Sequence, residues 1–298
     1  MPELPEVETI RRDLVESIIG SEIVAVKILY LKTAKNKAAF FVKALEGHKI
    51  EEINRIGKLL ILKIKQKNGE NESLHLLVHL KMTGQLILVS KGKKTVGGHS
   101  LSEDSFESSV GGELPNRHTR IIIEFKNGDR LFFNDLRKFG YLKIVDELEL
   151  EKIIAKGYGP EPLSLKLSVK YLTEKLRNKK KNIKAFLLDQ KMIAGLGNIY
   201  VDESLFLAKI RPMRLAGSLN ESEIKLLYQS INKIIKKAIE NRGTTFNNYV
   251  DSSGRKGNFS RLLNVYGRGK LPCPTCKKEI IKTKLAGRGT HYCGYCQN

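Results

Sequence analysis

Four cysteines constrain this chain more tightly than anything else in it. Cys273 and Cys276 form one C-x-x-C pair, Cys293 and Cys296 a second, and sixteen residues lie between them. Each x-x turn sets two thiolates on one side of a tight loop, so two pairs can close a tetrahedral site, and the gap is long enough for a β-hairpin. One pair alone could be redox-active. Two pairs at this spacing predict one structural zinc ion held by Cys273, Cys276, Cys293 and Cys296. Four sulfur ligands leave no open position, so the metal holds shape and takes no part in catalysis. No cysteine remains for a disulfide framework, which fits a reducing compartment. The intervening segment carries Lys277, Lys278, Lys282, Lys284 and Arg288, a basic hairpin suited to touching nucleic acid.

The rest of the chain predicts an α+β fold. Val7, Ile10, Leu14 and Ile18 recur at helical spacing, Gly20 stands where a C-terminal cap belongs, and Glu3, Glu6 and Glu8 load the helix start. The runs EIVAVKILYL, LLILKIK, LHLLVHL, QLILV, RIIIEF, RLFFN and YLKIV follow. They predict antiparallel strands forming a β-sandwich flanked by helices. Residues 90–118, rich in Gly, Ser and Lys, predict a mobile loop. From about residue 147 the pattern is helical. Its clearest helix spans 221–241, with Asn220 and Glu223 as a capping box and Gly243 after its end. Residues 243–260 read as a polar loop. The predicted domains are 1–146, 147–260 and 261–298.

Charge narrows the partner. Lys and Arg number 53 against 32 Asp and Glu, a net charge of +21. A polyanion would offset the self-repulsion, although a solvated lysine-rich surface would show the same excess. The start PELPEVE lacks the positive charge and apolar stretch of a signal peptide, and no apolar run approaches the roughly 18 residues of a membrane span. The expectation is a cytoplasmic, nucleoid-associated monomer with no membrane contact.

Removal of Met1 would expose Pro2 as a secondary amine. An α-amino group titrates at about 7.7–8.0, so a neutral fraction exists that can attack a sugar C1′ and form an iminium. Glu3 stands beside it as a proton shuttle. On local pattern alone, Pro2 is equally a chain end, Lys58 a solvated strand lysine, Met82 and Phe139 core residues, and Gly195-Leu196-Gly197-Asn198 a helix cap.

The segments MPELPEVETIRR, HLKMTG, NDLRKFG, GPEPL, DQKMIAGLGNIYVDESLF and AGRGTHYC occur in this order. Together they closely resemble formamidopyrimidine-DNA glycosylases, bacterial enzymes that repair oxidised purines. The resemblance implies a bifunctional DNA glycosylase and AP lyase acting on damaged double-stranded DNA by β,δ-elimination. It also implies a helix-two-turns-helix element in the helical domain and a zinc ribbon after it. By the same resemblance Pro2 is the nucleophile, Glu3 opens the sugar ring and moves protons, and Lys58 is the catalytic lysine. Arg288 completes the second elimination. Met82, Arg137 and Phe139 fill the void left by the everted base, with Arg137 facing the orphaned cytosine. His79, His118, Lys179, Lys184, Asn198 and Tyr266 contact the DNA.

The chain departs from the family pattern at Lys81, where glycine is usual, and at Arg120, where a second histidine is usual. Leu136 and Lys138 replace proline and arginine, Arg242-Gly243 replaces a glycine pair, and the 90–118 segment is longer. These changes bear on damage preference more than on the reaction. Two rival readings are an endonuclease VIII-type enzyme for oxidised pyrimidines and a non-catalytic zinc-ribbon binder. The DLRKFG segment argues against the first, and intact Pro2, Glu3 and Lys58 argue against the second.

Overall fold

A computed structural model of the chain describes residues 1–65, 73–90, 93–98, 106–244 and 259–298. It divides into two compact units. One holds residues 1–154 with 242–244, the other residues 155–241 with 259–298.

The first unit begins with α1 (Leu4–Ile18), β1 (Ile23–Ile28), α2 (Ala38–Lys43), β2 (Lys49–Ile56), β3 (Leu59–Lys65) and β4 (Leu74–His79). It continues through β5 (Gly84–Ser90), β6 (Lys93–Gly98), α3 (Phe106–Val110), β7 (Thr119–Phe125), β8 (Arg130–Asp135) and β9 (Tyr141–Asp146) to α4 (Glu147–Gly157). The strands form a five-stranded sheet, β1-β7-β8-β5-β6, and a four-stranded sheet, β2-β3-β4-β9, with every pair antiparallel. Alternate residues of each sheet meet in one core. Leu60, Leu62 and Ile64 of β3 join Ile121 and Ile123 of β7 and Phe133 of β8, and α1 adds Val7, Ile10, Leu14 and Ile18. This is the expected sandwich, with its first helix where the apolar spacing put it.

The outer face of the five-stranded sheet is covered as well. Ile87, Ile122 and Phe132 pack there with Val110, the last residue of α3. Being buried on both sides, β7 reads TRIIIEF and not as a clean alternation. This corrects the mobile-loop reading of 90–118. Its described residues hold strand β6, paired with β5, and helix α3. Gly97, which reads as a loop residue, is a packing residue, since a Cβ there would lie 2.3 Å from Ile10 Cγ1. Residues 91–92 and 99–105 of that segment lie outside the described residues, as do residues 245–258 of the loop expected over 243–260.

The second unit contains α5 (Val169–Leu176), α6 (Ile183–Leu187), α7 (Asn198–Leu207), α8 (Glu221–Glu240) and the hairpin β10 (Ile280–Leu285) and β11 (Arg288–Cys293). Helix α8 has the expected capping box of Asn220 and Glu223 and buries Ile224, Leu227, Ile231, Ile234, Ile235 and Ala238 on one face. Among the described residues no helix is long and apolar enough to cross a membrane.

Candidate active site, DNA interface and zinc ribbon

The chain start is held in place by its own helix. Glu3 is the N-cap of α1, and its backbone N–H donates to Glu6 Oε2 at 2.9 Å, closing a reciprocal capping box. Glu6 Oε1 also accepts from the Thr244 N–H at 2.8 Å. Pro2, Glu3 and Glu6 are all buried. Burial lowers the pKa of the terminal ammonium on Met1, Glu3 and Glu6 raise it, and Lys58 lowers it again. Lys58, on the turn between β2 and β3, is 6% exposed, so it is a buried lysine and not a solvated one. Its turn is fixed by Arg55, whose Nη1 donates to the Gly57 carbonyl at 2.9 Å. Arg55 Nε in turn donates to Glu8 Oε2 on α1. Although burial opposes it, hydrogen bonds from Arg11 and Arg12 hold the Glu8 carboxyl down to about 2, with the Arg55 charge adding to them.

His79 ends β4. Its Nδ1 accepts the Lys81 N–H at 3.1 Å. Burial, then the charges of Lys81 and Lys58, push its pKa down to about 3. A neutral ring with Nδ1 accepting must carry its proton on Nε2, a donor suited to a phosphate oxygen.

Two neighbouring turns carry the void fillers. Met82 lies half-buried in the turn after β4, and Arg137 and Phe139 lie exposed in the turn after β8. The Arg137 guanidinium stacks over the Phe139 ring, 4.7 Å from its centroid. Lys81 and Lys138 adopt φ of 51° and 60°, a left-handed backbone costing about 1–2 kcal/mol in a non-glycine residue. Their ammonium groups lie over the rings of Tyr141 and Tyr30. Behind these turns, Arg120 is buried and its Nε donates to the Asp135 carbonyl at 3.0 Å. His118 is 6% exposed and its Nε2 accepts from Arg117 Nε at 3.2 Å.

In the second unit, Lys179 is exposed and Tyr266 is half-buried. Tyr266 sits edge-on to His291 with ring centroids 5.1 Å apart. Glu203 of α7 fixes the approach to Tyr266, accepting the backbone N–H groups of Asn264, Val265 and Tyr266 at 2.8–3.0 Å. Lys184 departs from the sequence expectation. It is fully buried, paired with buried Asp202 at 2.6 Å, and its Nζ donates to the Gly289 carbonyl at 2.9 Å. It therefore holds the hairpin and cannot reach a phosphate in this conformation. The Asn198 amide donates to the same carbonyl at 2.8 Å, and Asp202 Oδ2 accepts the His291 N–H at 2.9 Å. Both flank the exposed Arg288 at the start of β11. Sequence reasoning passed over Asp202, Glu203 and Arg55 and read Glu8 only as an acidic residue at the helix start. The only trace of the first two was the acidic pair within the NIYVDESLF run.

The four cysteine sulfurs all lie within 4.8 Å of one another. Cys273 and Cys296 are 3.9 Å apart, Cys276 and Cys293 3.5 Å. A tetrahedral ion with Zn–S bonds of about 2.3 Å needs sulfurs about 3.8 Å apart. The donor set therefore fits a structural zinc, and Cys273 and Cys293 are buried as such a site requires.

Comparison with known proteins agrees with this arrangement. The N-terminal domain of formamidopyrimidine-DNA glycosylase matches residues 1–142 and the H2TH domain of the same enzymes matches residues 158–249. A zinc finger found in FPG and IleRS matches residues 270–298. A formamidopyrimidine-DNA glycosylase of Pediococcus pentosaceus is 39% identical over 300 residues, covering 100% of this chain and 99% of the relative. One of Carboxydothermus hydrogenoformans is 40% identical over 299 residues and covers both chains fully. Among solved structures, a Lactococcus lactis FPG mutant bound to Fapy-dG-containing DNA superposes with a TM-score of 0.84 at 36% identity, covering 99% of each chain. The chain thus belongs to the formamidopyrimidine-DNA glycosylase family, base excision repair enzymes that join DNA glycosylase and AP lyase activity and carry one structural zinc.

Proposed function

We propose that this chain excises 8-oxoguanine and formamidopyrimidines from duplex DNA, with Pro2 as the nucleophile. The carrying observation is the buried chain start, which gathers a terminal amine, Glu3, Glu6 and Lys58. Loss of Met1 would turn the Pro2 nitrogen into that amine. Burial, helped by the Lys58 charge and opposed by Glu3 and Glu6, favours the neutral form of a terminal amine at this place, the form that can attack.

The Pro2 nitrogen attacks C1′ and the glycosidic bond breaks, with its electron pair leaving on the base. The Lys58 ammonium stabilises that negative charge. Glu3 takes up the proton that the attacking nitrogen must lose and delivers it to the ring oxygen as the sugar opens, so that the freed nitrogen lone pair completes an iminium at C1′. The iminium acidifies C2′–H. Loss of that proton expels the 3′ phosphate, and a second elimination, completed by Arg288, expels the 5′ phosphate. A secondary amine suits this sequence because its iminium has no N–H to lose and is regenerated in charged form as the phosphate leaves. His79, Lys179, Asn198 and Tyr266 grip the DNA backbone, while Met82, Arg137 and Phe139 occupy the void. Lys184 contributes through the hairpin it holds. We place the enzyme as a monomer in the cytoplasm, on nucleoid DNA.

Borohydride trapping tests the assignment. Protein lacking Met1 is expected to form a covalent adduct on lesion DNA that peptide mapping places on Pro2. Pro2→Gly keeps DNA binding and loses most trapping. Lys58→Ala excises slowly yet still traps on a preformed abasic site. An adduct on Lys58, or undiminished trapping by protein that retains Met1, overturns it.

A further inference from the structure

We propose that Asp135 is a positioning residue that couples the two turns bearing the void fillers, so that Met82, Arg137 and Phe139 enter the duplex as one unit. Asp135 ends β8 and is 1% exposed. Its Oδ1 accepts the Thr83 hydroxyl at 2.5 Å and the Arg137 N–H at 3.2 Å. Its Oδ2 accepts the Gly140 N–H at 2.7 Å. The Thr83 hydroxyl oxygen also accepts the Arg137 N–H, at 2.9 Å. One carboxylate thus clips the residue after Met82 to the backbone of Arg137 and to the residue after Phe139.

The surroundings make this clip specific. A Cβ on Gly140 would lie 2.7 Å from Phe133 Cζ and 3.1 Å from Asp135 Oδ2, so glycine is what lets the chain pass over the carboxylate. Both turns hold a lysine in the left-handed region, Lys81 and Lys138. Such a backbone persists only where its surroundings over-determine it. The Asp135 backbone joins in as well, since its N–H donates to the His118 carbonyl at 2.9 Å and its carbonyl accepts from Arg120 Nε. Filling a void left by an everted base needs three side chains placed at once, and a misplacement of about 1 Å costs on the order of 10²-fold in rate.

The inference rests on the function proposed above, and the test separates the two. Single-turnover excision from an 8-oxoguanine:cytosine duplex is compared with strand cutting at a preformed abasic site in the same sequence. A 2-aminopurine beside the lesion reports eversion. Wild-type excision from the lesion duplex tests the functional reading by itself. Asp135→Asn is expected to lose roughly 10²-fold on the lesion duplex. On the abasic duplex, where no base must be unstacked, the loss is expected to be at least about tenfold smaller. The fluorescence phase slows in step with excision. Thr83→Val, which removes one bond of the clip, falls between, and it carries the test if Asp135→Asn does not fold. Equal losses on both duplexes, or an unaltered eversion phase with slowed excision, overturn the proposal.

Discussion

The β-sandwich and the cysteine hairpin of this chain are stabilised in opposite ways. The sandwich core draws on α1 and both sheets, with residues such as Ile50, Leu60 and Ile121 entirely buried. Its stability comes from apolar area, a non-directional quantity spread over many residues. In the hairpin, β10 buries only Ile280 outright, and the cluster around it consists of Phe206, Val265 and the cysteines. What holds it is a short set of directed bonds. The thiolates meet at the zinc, Lys184 and Asp202 grip β11, and Gln297 accepts from the Cys293 N–H while donating to the Ile210 carbonyl. An area-based core weakens by degrees when one member is lost, whereas a bond-based ribbon fails together. The ribbon gains from this that Lys282, Lys284 and Arg288 stay exposed.

Breaking the metal site gives the largest effect. Structural zinc contributes about 10–16 kcal/mol of apparent binding energy at pH 7, far more than the apolar cluster can replace. Cys276→Ser should lose zinc by elemental analysis, lose amide protection in 280–293 and lose DNA binding, while the amides of β3, β4 and β7 stay protected. Simultaneous loss of sandwich protection would show that the contrast is false. Next is Lys184→Met, which leaves Asp202 buried without its cation, at a cost of about 3–5 kcal/mol. Urea unfolding should report this, and adding Asp202→Leu should restore much of it. Slightly smaller is Leu76→Ala in β4, about 3 kcal/mol from lost burial and a cavity. That variant should keep its full zinc content.

The same contrast governs how much was legible in the sequence. Periodicity reports local burial, so α1, α8 and the apolar strands stood out. Strand β2, KIEEINRI, did not, because only Ile50 and Ile53 are fully buried and, apart from half-buried Ile56, the remainder is charged or polar. Strand β6 and α3 were hidden because what orders them is distant. Gly97 is small to admit Ile10, and Val110 covers a sheet face, and neither reason leaves a local pattern. The cysteine spacing displayed the metal site outright, since ligand geometry constrains neighbours in sequence. Lys184 was misplaced because its partners, Asp202 and Gly289, lie far along the chain. Asp135 was visible only as one letter of NDLRKFG, with nothing to say that it binds the turn after β4.

The smallest expected effect sharpens the comparison, because it concerns one directed, charge-dependent feature inside the area-stabilised sandwich. His79 in the folded chain has its pKa lowered to about 3, first by burial and then by Lys81 and Lys58. In the unfolded chain a histidine titrates at about 6.5. A depressed folded-state value means that the unfolded chain takes up a proton in this interval and the folded chain does not. The contribution is complete above about pH 6.5, declines as pH falls below it, and is gone once pH has fallen through about 3. The slope approaches about 1.4 kcal/mol per pH unit between the two values, and partial exposure of the ring narrows that interval without flattening the slope. In His79→Gln the amide oxygen can still accept the Lys81 N–H but cannot titrate. Urea midpoints at pH 7.5, 6.0 and 5.0 should therefore fall more steeply for the wild type than for the variant. Zinc content must be followed in the same samples so that metal release from the ribbon is not read as sandwich loss. Parallel curves at constant zinc would show that His79 takes up its proton in the folded chain over the same interval as in the unfolded one. Its Nε2–H would then not be the neutral donor proposed for a phosphate, and the affinity of the wild type for DNA would instead rise as pH falls from 7.5 to 6.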